Sequence, residues 1–326
     1  MNKKFKIILV NIVLIVIALS LSYVIFNYVK YRAINHRMAA SDYFEACDKT
    51  ETDELKPFKI LPNANCKGYE KKHNIITRVI KIGIDSLGFR KTPDNYNKNK
   101  PAIVFSGCSF VFGYRLEDKE TLPWRISELT NRKVYNTAYN GNGPQHLLLD
   151  LQSDDFSKKI NNADTFIYLF IQDHIRRLKS PTNINDPFFY PTYSLAKEGT
   201  LIKDTPSEEY IKASSEQRIK LKQLSYIKNT GHELKNKELR ELLLAVMKET
   251  EREIKKYNPN ARFIILEIYD NADVDKFFRD NGFELVTFHD LTGEYLDTEK
   301  YVTLHDHPNH KLWEYLTPKL VQKLKL

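Results

Sequence analysis

Four short segments of the chain combine chemically competent residues with small residues that would expose them. In the first, Ile103-Val104-Phe105-Ser106-Gly107-Cys108-Ser109-Phe110-Val111-Phe112-Gly113, an apolar run ends in a small-residue turn carrying a serine. A serine just past the C-terminal end of a strand, beside free N–H groups at a helix start, is placed to act as a nucleophile at an oxyanion site. The second segment, Asn136 to Gln145, follows the next β-type run, and its glycines at 141 and 143 can turn backbone N–H groups toward the same strand-end crevice. The third, Phe170-Ile171-Gln172-Asp173-His174, closes the most apolar run, where a polar side chain either reaches the crevice or caps a helix. The fourth, His305-Asp306-His307-Pro308-Asn309-His310, precedes a helical pattern with Leu312, Trp313, Leu316 and Leu320. A neutral imidazole, with a pKa near about 6.5, suits a general base at neutral pH if it comes within about 3 Å of the serine hydroxyl. The histidines around Asp306 also invite a metal reading. No other cluster of Cys, His and carboxylates sits at ligand spacing, so neither metal nor organic cofactor is expected.

Residues of this kind need a scaffold that brings strand ends together. From Pro101 onward, short β-type runs alternate with helical patterns: Ala102–Ser106, Val134–Asn136, Thr165–Ile171, Phe263–Tyr269 and Leu285–Phe288. The run from Phe166 to Ile171 lacks polar alternation, as expected of a strand covered on both faces. The order predicts a parallel α/β sheet. Glu238 to Tyr257 carries Leu239, Leu242, Leu243, Val246 and Ile254 near helical spacing, and Asn258-Pro259 stops it, which predicts a covering helix. Residues 180–216, with Pro181, Pro187, Pro191 and Pro206, read as an insertion without its own core, either a substrate-facing lid or a surface excursion. Residues 30–97 read as a juxtamembrane adaptor with a strand-like stretch from Ile75 to Ile84, and 98–326 as the main domain. No repeat of 20 to 50 residues is visible, which excludes solenoids and propellers.

Taken in order, the four segments resemble the SGNH/GDSL hydrolase superfamily. Its first block is usually G-D-S, an aromatic residue and then F-G. Gly107-Cys108-Ser109-Phe110 and Phe112-Gly113 match it except at Cys108, which stands where aspartate is usual. The upstream Ser86-Leu87-Gly88-Phe89-Arg90 is similar to the N-S-x-G-F-R stretch that precedes this block in many membrane-anchored members, and the resemblance covers roughly residues 84–320. It implies a flavodoxin-like three-layer sandwich with a five-stranded parallel sheet and a serine nucleophile at Ser109. It also implies an oxyanion hole from the Ser109 amide, Gly141 and a third-block side chain, a position held here by Gln172 instead of asparagine. The base maps onto His307, in its His307-Pro308-Asn309 context. The aspartate expected two or three residues earlier is replaced by His305 and Leu304. The nearest acid is then Asp306, with Asp290, Asp297 or a backbone carbonyl as alternatives. A thiol route through Cys108 is disfavoured, because adjacent side chains diverge.

The 23 uncharged residues from Ile7 to Val29 suffice for one membrane-spanning helix after a six-residue tail. That run exceeds the usual core of a cleaved signal peptide, and no A-x-A site follows it. The short tail favours an N-inside, single-pass anchor, with the main domain outside the cytoplasm in a bacterial cell envelope. In that compartment disulfides persist, and Cys47 with Cys66 either closes a short loop or leaves two buried thiols. The formal charge of +8 rests partly on Lys3, Lys4 and Lys6, and no basic stripe interleaves with aromatics, so nucleic acid is not an expected partner. The function implied is that of a serine acyl or acetyl esterase acting on an ester substrate, such as O-acetylated polysaccharide or another envelope ester. One alternative is O-acyl transfer to a cell-surface glycan. Another is a catalytically lapsed binding scaffold, which the departures at Cys108, Gln172 and His305 favour.

Overall fold

The computed structural model describes residues 43–51, 59–72, 75–179, 193–204, 236–303 and 306–326. The apolar run from Ile7 to Val29, most of the 180–216 stretch, and Leu304 with His305 lie outside them. Among the described residues, no helix is long and apolar enough to cross a membrane. The chain divides into two units, 1–44 with 69–79, and 45–68 with 80–326.

In the segment read as an adaptor, strands β1 (Tyr43–Cys47), β4 (Asn65–Lys72) and β5 (Ile75–Gly83) form one sheet in the order β1-β4-β5. β2 (Thr50–Glu51) pairs antiparallel with β3 (Lys59–Ile60). Cys47 and Cys66 form a disulfide, and the Asp48 carboxylate beside it accepts from the Asn65 backbone and side-chain amides.

The second unit is built on a five-stranded parallel sheet of β6 (Ala102–Ser106), β7 (Val134–Asn136), β8 (Ala163–Phe170), β11 (Arg262–Glu267) and β12 (Glu284–Thr287). The spatial order is β12-β11-β8-β6-β7. Numbered within the sheet this is the flavodoxin-like order 2-1-3-4-5, whose switch point lies between its first and third strands, here β6 and β8. All five strands fall within two residues of the apolar runs that predict them. The remaining pair, β9 (Tyr193–Leu195) and β10 (Leu201–Lys203), is an antiparallel hairpin within the stretch read as an insertion.

Side chains alternate across the strands, and here both faces are buried. Val104, Phe166, Tyr168, Phe170, Phe263 and Ile265 join one core cluster with Leu147 and Leu148 of α3 (Pro144–Leu151) and Leu239, Leu242, Leu243 and Val246 of α6 (Lys237–Tyr257). The alternate residues Ile103, Phe105, Ile167, Leu169, Ile264 and Leu266 are equally buried. A second helix pair, α2 (Leu122–Thr130) and α10 (His310–Leu324), packs together and buries Ile126, Leu312, Trp313 and Leu316. α6 starts where the Asn236 side chain accepts from the Glu238 and Leu239 amides, and it ends before Asn258-Pro259 as its sequence requires. Five shorter helices complete the unit: α1 (Ser109–Phe112), α4 (Asp154–Lys159), α5 (Asp173–Arg177), α7 (Ala272–Asp280) and α8 (Phe288–Thr292), with a final turn α9 (Thr298–Tyr301) before α10.

Candidate active site

Parallel registers bring the strand ends level. Ser106 lies opposite Tyr168, Phe105 opposite Asn136, and Glu267 opposite both Phe170 and Thr287. The segments following β6, β7, β8 and β11 therefore emerge along one edge of the sheet, at the switch point where such folds bind ligands.

Ser109 opens α1, three residues past the end of β6, and only 9% of its surface is exposed. The turn that presents it needs glycine at both ends. Gly107 has φ +146°, and a Cβ there would meet the Leu169 carbonyl at 3.0 Å; Gly113 has φ +92°, and a Cβ there would come within 2.4 Å of Thr121. Among the described residues the Ser109 N–H donates to no acceptor, as expected of the first N–H of a helical turn. Cys108 is fully buried beside this turn.

His307 closes on Ser109 from 198 residues away: Nε2 lies 2.9 Å from the serine Oγ. The HisProAsn stretch builds the loop that carries it. Asn309 caps α10 by accepting from the Leu312 amide, donates its side chain to the Lys300 carbonyl, and donates its backbone N–H to Tyr301. Val302 bridges Pro308, and the Thr303 N–H donates to the His307 carbonyl at 2.8 Å. The imidazole is flanked by two rings, Phe110 at 4.9 Å and Tyr114 at 4.5 Å between centroids. Phe110 in turn touches Tyr269, whose hydroxyl donates to the Asp306 carbonyl at 3.0 Å.

Asp306 is not where a triad acid must be. It adopts a left-handed φ of +58°, its N–H donates to Thr303, its carbonyl accepts from Tyr269, and its side chain is exposed. No hydrogen bond joins its carboxylate to the His307 ring. The backbone turn, fixed at both ends, directs the side chain to solvent. The two alternative carboxylates are engaged elsewhere: Asp290 accepts from the Thr287 N–H and pairs with Arg279, and Asp297 caps α9. Thr287 and Arg279 hold the Asp290 carboxyl below its ordinary value against the opposing effect of burial.

Gly141 follows β7 at φ +84°, in a loop that neighbouring elements hold. Asn140 donates to the Glu45 carboxylate at 2.9 Å, and Arg177 donates to the Asn142 carbonyl at 2.8 Å. The Gln145 side chain donates back to the Arg177 carbonyl, and Asp173 pairs with both Arg176 and Arg177. These guanidinium groups keep the Asp173 carboxyl low although it is largely buried. Gln172 lies on the exposed rim, and its Oε1 accepts from Asn271 at 3.0 Å, which leaves the Nε2 edge of the amide as the group able to face an oxyanion.

One buried carboxyl stands at the edge of this arrangement. Glu267, 1% exposed at the end of β11, accepts from the Tyr269 and Asp270 amides; burial pushes its carboxyl up to about 7 against those two donors. No group of three or more potential metal ligands occurs among the described residues, which do not include His305.

Tyr114, Tyr269, Asn136 and Arg90 were not distinguishable as site residues from type and spacing, though Arg90 lies in the quoted Ser86–Arg90 stretch. Only an aromatic residue after the Phe112-Gly113 pair, and a tyrosine ending an apolar run, hinted at the first two.

No protein-family model matches this chain, and no curated protein matches it. Among solved structures it is similar to a lipolytic protein of the G-D-S-L family from Desulfitobacterium hafniense DCB-2, at 11% identity and a TM-score of 0.38, over 68% of this chain and 99% of that one. It is similar also to an acetyl xylan esterase from the rumen bacterium Butyrivibrio proteoclasticus, at 11% identity and a TM-score of 0.38, over 87% of this chain and 86% of that one. A family two carbohydrate esterase from Clostridium thermocellum, solved with cellohexaose, aligns at 10% identity and a TM-score of 0.39, over 72% and 66% of the two chains. The fold assignment rests on the strand order and parallel pairing of the five-stranded sheet, which are those the SGNH/GDSL resemblance implies.

Proposed function

We propose that the protein is a serine ester hydrolase, an acyl or acetyl esterase of SGNH type. The observation that carries this reading is the 2.9 Å approach of His307 Nε2 to the Ser109 hydroxyl at the C-terminal edge of a parallel sheet. A neutral imidazole at that distance accepts the serine proton as Oγ attacks an ester carbonyl. The Ser109 N–H and the Gly141 amide hold the oxyanion, with the Gln172 amide at the rim. His307 then returns the proton to the leaving alkoxide. Water, deprotonated by the same imidazole, attacks the acyl-serine and releases the carboxylic acid.

The disulfide Cys47–Cys66 supports an oxidising compartment, and the apolar run from Ile7 to Val29 supports a single-pass anchor. A tethered esterase on the outer side of a membrane meets envelope esters, and O-acetylated polysaccharide is the substrate we favour.

The test is to label the full-length protein, in detergent, with a fluorophosphonate probe and to map the modified peptide. Modification at Ser109 that vanishes in His307→Ala supports the assignment, and free acetate released from an O-acetylated glycan supports the substrate. Esterase activity near wild type in Ser109→Ala would sink it.

A further inference from the structure

The Ser86–Arg90 segment takes no part in the mechanism above, yet its arginine is buried against the nucleophile's turn. The Arg90 side chain is 0% exposed. Its Nη1 donates to the carbonyls of Phe112 at 3.0 Å and Gly113 at 3.1 Å, its Nη2 to Leu116 at 2.6 Å, and its Nε to Asp118 at 3.0 Å. The guanidinium also lies 5.0 Å from the centroid of the Phe112 ring. Asp118 is held on its other side by the Gly83 N–H.

These contacts engage carbonyls at the C-terminal end of the turn, beyond those bonded within it. The Cys108 and Ser109 carbonyls accept from N–H groups within it, from Val111 and Phe112 and from Gly113 and Tyr114 respectively. The Val111 carbonyl accepts from the Asn136 side chain at 3.0 Å, the Phe112 carbonyl from Arg90, and the Gly113 carbonyl from Arg90 and from the Leu116 N–H. Asn136 and Arg90 are joined to each other by a backbone bridge, Arg90 N–H to the Asn136 carbonyl at 3.2 Å. Asn136 ends β7 and begins the loop that carries Gly141. One buried pair therefore touches both halves of the site: the turn presenting the nucleophile and the loop presenting an oxyanion donor.

We propose that Arg90 is a positioning residue for acylation, whose planar fork fixes the Ser109 turn in register with the Asn136–Gly141 loop. This role rests on the acyl-transfer reading above. A lysine conserves the charge but offers one ammonium where the structure uses three nitrogens on four acceptors. Misplacement of a reacting group by about 1 Å costs on the order of a hundredfold in rate.

The experiment compares full-length wild type, Arg90→Lys and Arg90→Gln. Reactive serines are counted by fluorophosphonate titration, and kcat and KM for p-nitrophenyl acetate are then expressed per titrated site. Counting sites separates the amount of native enzyme from the quality of each site. The expected result is a loss in kcat per site of about a hundredfold in Arg90→Gln and a smaller loss in Arg90→Lys, with KM within about twofold. Per-site rates within twofold of wild type, even alongside a lowered melting temperature, would overturn the role and leave Arg90 a stabilising residue only. If Arg90→Gln does not fold, as judged by circular dichroism, Arg90→Lys decides by the same criterion. Failure of the wild type itself to label would overturn the esterase reading, and this role with it.

Discussion

The two candidate catalytic residues, Ser109 and His307, are held by different physics. The turn bearing Ser109 is part of the buried scaffold: glycines at both ends permit its close approach to β8 and Thr121, and buried polar side chains absorb its outward carbonyls. The loop bearing His307 lies at the surface, closed by a Thr303–His307 backbone bond, a Val302–Pro308 bridge and the Asn309 cap. Polar groups satisfied inside a low-dielectric core define one arrangement and cost heavily when broken, whereas local turns on the surface tolerate change. Ser109 is thus positioned by the fold as a whole and His307 by a few neighbours. Damage to the first should appear as lost stability together with lost rate, and damage to the second as lost rate alone.

The largest effect that separates the two sides is expected from His307→Ala. Removing the base should slow labelling at Ser109 by a thousandfold or more, on the order of 4 kcal/mol of barrier, while the melting temperature shifts by only about a degree or two. Labelling rates and thermal melts on the same preparation check it. A large fall in melting temperature would mean that the base loop belongs to the core after all.

Glu267, which accepts from the Tyr269 amide, supplies a pH-dependent test beside the contact that Tyr269 makes with Asp306. Its carboxyl, raised to about 7 by burial, retains a proton that the unfolded chain releases near the ordinary glutamate value of 4.5. Between those values the native state binds more protons than the unfolded state, so stability falls as pH rises through that window and levels off above about 7. The full difference corresponds to about 3 kcal/mol. Urea unfolding at pH 5 and pH 8 should show the drop in wild type and a much flatter response in Glu267→Gln. An equal slope in both would show that another group carries the dependence.

Tyr269→Phe probes the contact between this region and the base. It removes the hydroxyl that donates to the Asp306 carbonyl but keeps the ring against Phe110. Loss of one hydrogen bond is worth about 1 kcal/mol, so kcat should fall by roughly three- to tenfold with stability little changed. An unchanged kcat would mean that the loop finds its position without Tyr269.

The contrast between the two sides also explains what could be read in advance. The strands were legible because uninterrupted apolar runs such as Phe166–Ile171 match a sheet covered on both faces, and the covering helix because its leucines recur at helical spacing. The candidate pair Ser109 and His307 could be picked out from residue type and context, and the structure brings the two side chains to 2.9 Å. Asp306 was misleading: aspartate tolerates the left-handed region better than most residues, and adjacency to His307 does not reveal that the chain turns there. Arg90 was visible as part of a familiar stretch but not as a brace, because its partners lie 22 to 28 residues away and three of the four are backbone carbonyls, which no residue type announces.

Gln172 marks the boundary between these cases, and it carries the smallest expected effect. Its position after β8 follows from the strand pattern, but its partner Asn271 is 99 residues distant and could not be foreseen. A buried oxyanion donor is worth about a hundredfold or more in kcat. Gln172 is exposed, so water competes for the same oxyanion and screens the amide dipole. Gln172→Ala is therefore expected to lower kcat by less than about tenfold, with KM and melting temperature unchanged. A loss near a hundredfold would place the amide in a site that substrate itself dries, and would make the third segment an equal partner of the Ser109 and Gly141 amides.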